Sequence, residues 1–217
     1  MRINADFSRQ VIIESSKSDW IRSPESGVER IMLDRIGDEV ARATSIVRYA
    51  PESSFSSHEH AKGEEFLVLD GVFSDEHGDY GAGTYVRNPP GSGHKPFSKN
   101  GCRILVKLRQ FDPDDLAQVV IDTNESGLWK KTASGDVDVL PLHSFKSESV
   151  QMSRIPSGSK HSLPDDGCEV FVVSGTIIFD DRELPAGSWL RFPALHEVEL
   201  IASSGVVLWT KHGHLPV

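Results

Sequence analysis

The chain has 217 residues, 38% of them hydrophobic and 25% charged, which is the composition of a globular protein rather than a disordered or fibrous one. Its 32 acidic residues outnumber its 23 Lys and Arg, and the net charge of -9 excludes the basic surface that non-specific nucleic-acid binding or docking on anionic membranes requires. No apolar run approaches the roughly 20 residues of a membrane-spanning helix. Asp6 and Arg9 interrupt the stretch where a signal peptide would be apolar, so the expected location is the cytoplasm.

Read in chain order, Asp34–Val40 is a candidate short helix, followed by strand-like runs at Ser45–Tyr49, Phe66–Leu69 and Ile104–Leu108. Asp114–Val120 is a second short helical candidate, after which Val170–Val173 and Val206–Trp209 again have strand character. Gly, Pro, Ser and Asp clusters separate these runs at close spacing, the punctuation of an all-β sandwich or barrel.

The halves repeat each other. Gly-Glu-Glu-Phe-Leu-Val-Leu-Asp-Gly at 63–71 aligns without a gap on Gly-Cys-Glu-Val-Phe-Val-Val-Ser-Gly at 167–175. In the same register, Ala-Gly-Thr-Tyr-Val-Arg-Asn-Pro at 82–89 falls on Ala-Gly-Ser-Trp-Leu-Arg-Phe-Pro at 186–193. Trp20 and Trp129 open the units, and Val106-Lys107-Leu108 resembles Val207-Leu208-Trp209 near their ends. These matches predict a tandem duplication with domains at 1–112 and 113–217, the seam lying in the polar, Pro-containing stretch Phe111–Asp115.

Chemistry concentrates in the first repeat. His58 and His60 are one residue apart, a spacing that places both side chains on one face of a strand. Glu64 follows, and Pro89 and Gly91 supply the turn that would carry His94 back toward the pair. Three imidazoles and a carboxylate are a usual ligand set for a borderline divalent metal. The plain alternative, polar residues that bind nothing, suits a lone His-x-His better than four ligands with this punctuation.

This order, His-x-His, three residues, Glu, six residues, Gly, then Gly, five residues, Pro-x-Gly, two residues, His, resembles the two sequence blocks of the cupin superfamily. It matches at His58, His60, Glu64 and His94 and departs at a trailing Asn, where this chain has Ser98. The wording of 63–75 and 78–94 is similar to the cupin domain of ChrR-type anti-sigma factors. The resemblance implies a bicupin of tandem double-stranded β-helix (jelly-roll) domains, one divalent metal ion (zinc, iron or manganese) on His58, His60, Glu64 and His94, and a pocket for a small-molecule ligand. The helical zinc domain through which ChrR-type proteins bind their sigma factor has no counterpart ahead of Trp20, so a sigma factor is not the expected partner. A metal-dependent dioxygenase or related enzyme on a small carbonyl or phenolic compound is the first functional reading. A non-catalytic sensor module is the second, and a structural zinc site the third.

The remaining candidates have plainer expected roles. Glu65, on the opposite strand face from Glu64, is expected to make a surface or inter-domain contact. His77 is expected in a solvated acidic loop, and Arg87 and Lys95 as solvent-facing cations. In the second repeat Ser162, Pro164 and Cys168 replace His58, His60 and Glu64. His161, Cys168 or Glu169, and His196 would be needed for any second site, and a metal-free degenerate domain is the expectation. His212 and His214 are expected to be exposed tail residues. Cys102 and Cys168 are expected to stay reduced. The edge strands of a small β-sandwich are expected to be covered by homodimer formation.

Overall fold

The computed structural model describes residues 1–215, almost all in antiparallel strands and short turns. The helical elements among the described residues are the single turns Ser15–Lys17 and Ser126–Leu128. Among the described residues no helix is long and apolar enough to cross a membrane.

Strand β1 (Val11–Glu14) is followed by β2 (Val28–Gly37), β3 (Ala41–Tyr49), β4 (His58–Glu59) and β5 (Glu64–Asp75). Then come β6 (Thr84–Asn88), β7 (Gly93–His94), β8 (Cys102–Leu108) and β9 (Val119–Asp122). The second repeat contributes β10 (Asp138–Phe145), β11 (Glu148–Ile155), β12 (Asp166–Ser174), β13 (Ser188–Ala194) and β14 (Val206–His212). The main sheet of the first repeat runs β2-β3-β8-β5-β6-β9, and that of the second runs β10-β11-β14-β12-β13-β1. The two orders correspond position for position, so the duplication read from sequence is a duplication of fold, a tandem of jelly rolls. Shorter strands form the opposing layers. In the first repeat β4 pairs with β7, and in the second Lys160–Leu163, Val198–Ala202, Thr176–Phe179 and Arg182–Pro185 form a sheet of their own.

The compact units do not follow 1–112 and 113–217. One unit is Met1–Ala5 with Asp19–Asn124, and the other is Asp6–Ser18 with everything from Glu125 onward. The difference comes from the edge strands. β1, which precedes the first repeat, pairs with β13 of the second in the register Val11↔Arg191 to Glu14↔Ser188. β9, which precedes the second repeat, pairs with β6 of the first, Arg87↔Val119 to Thr84↔Asp122.

Neither expected helix forms. Asp34–Val40 is the end of β2 and a hairpin into β3, in which Gly37 takes a φ of 117°. Asp34 is fully buried at a bulge, where its carboxylate accepts the Thr44 N–H at 2.9 Å. Asp114–Val120 is irregular chain leading into β9. Leu116 and Val120 mimic a helical i, i+4 apolar pair, but both are exposed, and pairing of β9 with β6 decides the conformation instead.

The long strand β5 bends at Gly71, whose φ of 71° lets its backbone lie so close to Gly101 that a Cβ would meet the Gly101 carbonyl oxygen at 2.1 Å. Gly175 repeats the device at φ 79° against Gly205. The bend turns Phe73 back onto Phe66, Tyr49 and Val106, the apolar core of the first unit, and carries Asp75 toward β7. The second unit has its own apolar core, which includes Leu163, Cys168 and Val198.

Candidate metal centre

Each of the four predicted ligands is placed by backbone pairing. His58 and His94 sit directly opposite in the β4–β7 pair. His60 is clamped to the Pro89–Ser92 turn, its N–H donating to Ser92 O at 2.8 Å and its carbonyl accepting the Gly91 N–H at 3.0 Å. Glu64 begins β5 opposite Asn88 of β6. The Pro and Gly of the second motif thus hold His60 and aim β7, which is why their spacing is legible in sequence.

The side chains converge. The imidazole centroids of His58, His60 and His94 lie 4.7–5.1 Å apart, and one ligand atom from each of the four residues lies within 4.8 Å of the others. Glu64 Oε2 is 3.5 Å from His60 Nε2 and 3.4 Å from His94 Nε2. Both of these Nε2 atoms are buried without a hydrogen-bond partner. A buried nitrogen lone pair without a partner is costly, and two aimed at the same carboxylate leave a space whose chemistry suits a cation.

The outer nitrogens are already committed. His58 Nδ1 lies 2.8 Å from the Ser56 carbonyl, which only accepts, so Nδ1 carries the proton and Nε2 keeps its lone pair. His94 Nδ1 lies 3.0 Å from Asp75 Oδ2. The other Asp75 oxygen accepts the N–H groups of His77 and Gly78 and the Tyr80 hydroxyl, at 2.8, 3.2 and 3.3 Å. Asp75, unnoticed in the sequence, fixes the orientation and tautomer of His94. Burial, with His58 adding to it, pushes the His60 imidazole down to about 4, so it is neutral near pH 7. Burial raises the Glu64 carboxyl above its ordinary range, countered in part by His94, His58 and the Asn88 amide, which donates to Glu64 at 3.3 Å. A neutral, unpaired imidazole beside a carboxyl that resists ionising is the state expected of a site lacking positive charge. Divalent metal ions fit this donor set.

The same four residues line a cavity of about 320 Å³ whose walls also include Tyr49, Phe73, Ile104, Val106 and Leu108. Glu39, Val40 and Ala41 of the β2–β3 hairpin also line it, so a small molecule there would lie against both apolar and charged side chains.

The profile of the ChrR cupin-like domain matches residues 8–112. The chain has a cupin fold, and its first repeat is similar to this family. Solved structures extend the likeness over both repeats. A provisionally named dioxygenase of Nostoc punctiforme superposes with a TM-score of 0.78 at 14% identity, covering 96% of this chain and 84% of its own. The pirin YhhW of Escherichia coli, solved with nickel(II), gives 0.71 at 10% identity over 96% and 100% of the two chains. A variant of oxalate decarboxylase from Bacillus subtilis gives 0.62 at 12% identity over 93% and 76%. Identities this low speak for the bicupin fold alone. No protein of curated function matches the chain.

The other predicted residues of this cupin fall out differently. Arg87 is not solvent-facing. It is fully buried between Glu65 at 2.8 Å and Asp115 at 2.6 Å, with its guanidinium 4.0 Å from the Phe111 ring. Glu65, likewise buried, also accepts the Tyr85 hydroxyl, so its contact is internal to the first unit rather than at a surface. The alternation that sends Glu64 into the cavity sends Glu65 to the opposite face. In the second unit Glu169, Trp189 and Arg191 are likewise fully buried, and the Trp189 Nε1–H donates to Glu169 at 3.1 Å. His214 is not an exposed tail residue, because its buried side chain meets Glu169 at 3.0 Å, while His212 is half-buried against Asp166 at 2.9 Å. Lys95 and His77 are exposed, as expected. Ser98 is buried and its hydroxyl donates to Val72 O. In the second repeat Cys168 lies in the apolar core, Ser162, Pro164 and His196 are exposed, and His161 is half-buried. Among the described residues these do not gather into a metal-ligand cluster.

Proposed function

We propose that the first unit binds one divalent metal ion, zinc, iron or manganese, through His58, His60, Glu64 and His94. On this reading the chain is a metal-dependent enzyme, of dioxygenase type, acting on a small carbonyl or phenolic compound held in the adjoining cavity. One observation carries it: two buried, partnerless imidazole nitrogens aimed at one buried carboxylate on the cavity floor. A divalent ion there would supply Lewis-acid polarisation and open positions for a chelating ligand. The chain's own groups do the rest. Ser56 and Asp75 hold the histidine tautomers, Asn88 steadies Glu64, and the apolar walls exclude water. The Nostoc punctiforme neighbour carries the dioxygenase name, which agrees with this reading. The second unit is a metal-free partner whose ligand positions are filled by core or surface residues.

The ChrR profile match favours a second reading, a sensor in which metal and ligand alter a protein contact. Metal analysis after native purification, followed by oxygen-uptake measurement, tests both. About one equivalent of metal is expected, lost in His58→Ala and unchanged in His196→Ala or Cys168→Ala. Less than roughly a tenth of an equivalent in the unmodified chain overturns both readings. Oxygen uptake with candidate carbonyl or phenolic compounds supports the enzyme, and full metal without uptake supports the sensor.

A further inference from the structure

The cavity wall away from the ligands carries cations. Arg30 and Arg35 of β2 both line it. Arg30 has a carboxylate partner, Glu39, at 3.0 Å, but Glu39 is largely exposed, and Arg30 Nε is buried without an acceptor. Arg35 is 3% exposed and donates to the backbone carbonyl of Asp38. Among the described residues no carboxylate forms an ion pair with it. Burial, reinforced by the neighbouring charge of Arg30 and only partly offset by Glu39 and Asp38, holds its guanidinium below the ordinary arginine range. The nearby carboxylates, Glu39 and Asp38, are largely exposed and paired instead with Arg30 and the N-terminal ammonium, so a buried cation with no ion pair of its own lines the cavity, a group prepared for an anion.

The strand register sets the span. Glu64 is opposite Leu108, Leu108 opposite Ala43, and Ala43 opposite Arg35. Arg35 and Glu64 therefore lie in one row, three strand spacings or about 14 Å apart at Cα. Both side chains project into the space between, leaving room for a short molecule held at its two ends.

We propose that the cavity takes a small organic acid whose carboxylate docks on Arg35, with Arg30 beside it, and whose opposite end offers oxygen donors to the His58, His60, Glu64 and His94 end. The second contact rests on the metal-centre reading; the first does not. Two probes differing in one group test it. 3,4-Dihydroxybenzoate and 3,4-dihydroxybenzamide present the same pair of oxygen donors, and only the acid carries a carboxylate. Titrated calorimetrically into the metal-loaded full chain at neutral pH, the acid should bind at least about tenfold more tightly than the amide. Arg35→Gln should bring the two within about twofold by weakening the acid, with metal content retained as the check on folding. Arg35→Lys should keep part of the preference, and Arg30→Gln serves in place of Arg35→Gln if that variant does not fold. Equal affinities in the unmodified chain, a preference that survives Arg35→Gln, or no binding of either probe to metal-loaded chain overturns the proposal. Benzoate against benzamide on metal-free chain separates the two readings. An Arg35-dependent preference for benzoate in a chain that takes up no metal removes the metal centre and leaves the acid site standing.

Discussion

Asp75→Asn changes one atom and should cost the centre most of its grip on metal. One Asp75 oxygen serves the donors of His77, Gly78 and Tyr80, and the other faces His94 Nδ1 at 3.0 Å. An asparagine has a single acceptor oxygen, and the three donors on the loop claim it, so its NH₂ group turns toward His94. Two donors then face each other unless His94 moves its proton to Nε2, where the lone pair for the metal is needed. Loss of such a supporting carboxylate typically weakens metal affinity about 10–100-fold, or about 1.4–2.7 kcal/mol. Competition titration against a chelator of known affinity reads the change, and thermal unfolding of the metal-free chain checks that the loop is intact. Affinity within about twofold of the unmodified chain would refute the assignment of His94 Nε2 as the ligand atom.

Gly71→Ala should destabilise the first unit by more than about 1 kcal/mol, because its φ is positive and the new Cβ meets backbone at 2.1 Å. Gly78→Ala, with nothing within 4 Å, should stay within about 0.5 kcal/mol, and denaturant unfolding of the two variants decides the point. Burial pushes the Cys102 and Cys168 thiols from 9.0 up to about 11 and about 12. Between these limits the folded chain holds protons that the unfolded chain has released, so this contribution to stability is intact below pH 9 and is lost as pH rises through 11 to 12. Unfolding midpoints should fall over that window, and iodoacetamide at pH 8 should label both thiols only on unfolding; rapid labelling of native chain would contradict it.

The convergence of His58, His60, Glu64 and His94 is legible because strand periodicity and turn chemistry are local. His58 and His60 share a face by their spacing, and the Pro89–Ser92 turn that clamps His60 is written in consecutive residues. Asp75 was not legible, since its link to His94 depends on the bend at Gly71, a contact with Gly101 distant in sequence. Arg87 looked like a surface cation because its two carboxylates, Glu65 and Asp115, come from different strands and loops. The burial of His214 is illegible for the same reason, its partner Glu169 being remote along the chain. The two helical candidates failed where exposed or hairpin residues imitated an apolar i, i+4 pattern that sheet pairing overrode.

The reciprocal edge strands have a consequence for how such a chain can be taken apart. Cutting at the repeat seam near Phe111 leaves the first fragment without β9 and carrying β1 with no β13 to pair with, and leaves the second fragment with β13 bare. Repeat and folding unit therefore have different boundaries. Recombination that swaps one repeat for another inherits the neighbour's edge as well, so the two repeats must stay compatible through residues 6–18 and 113–124. Each repeat is, in this light, a supplier of the edge template on which the other's leading strand is laid.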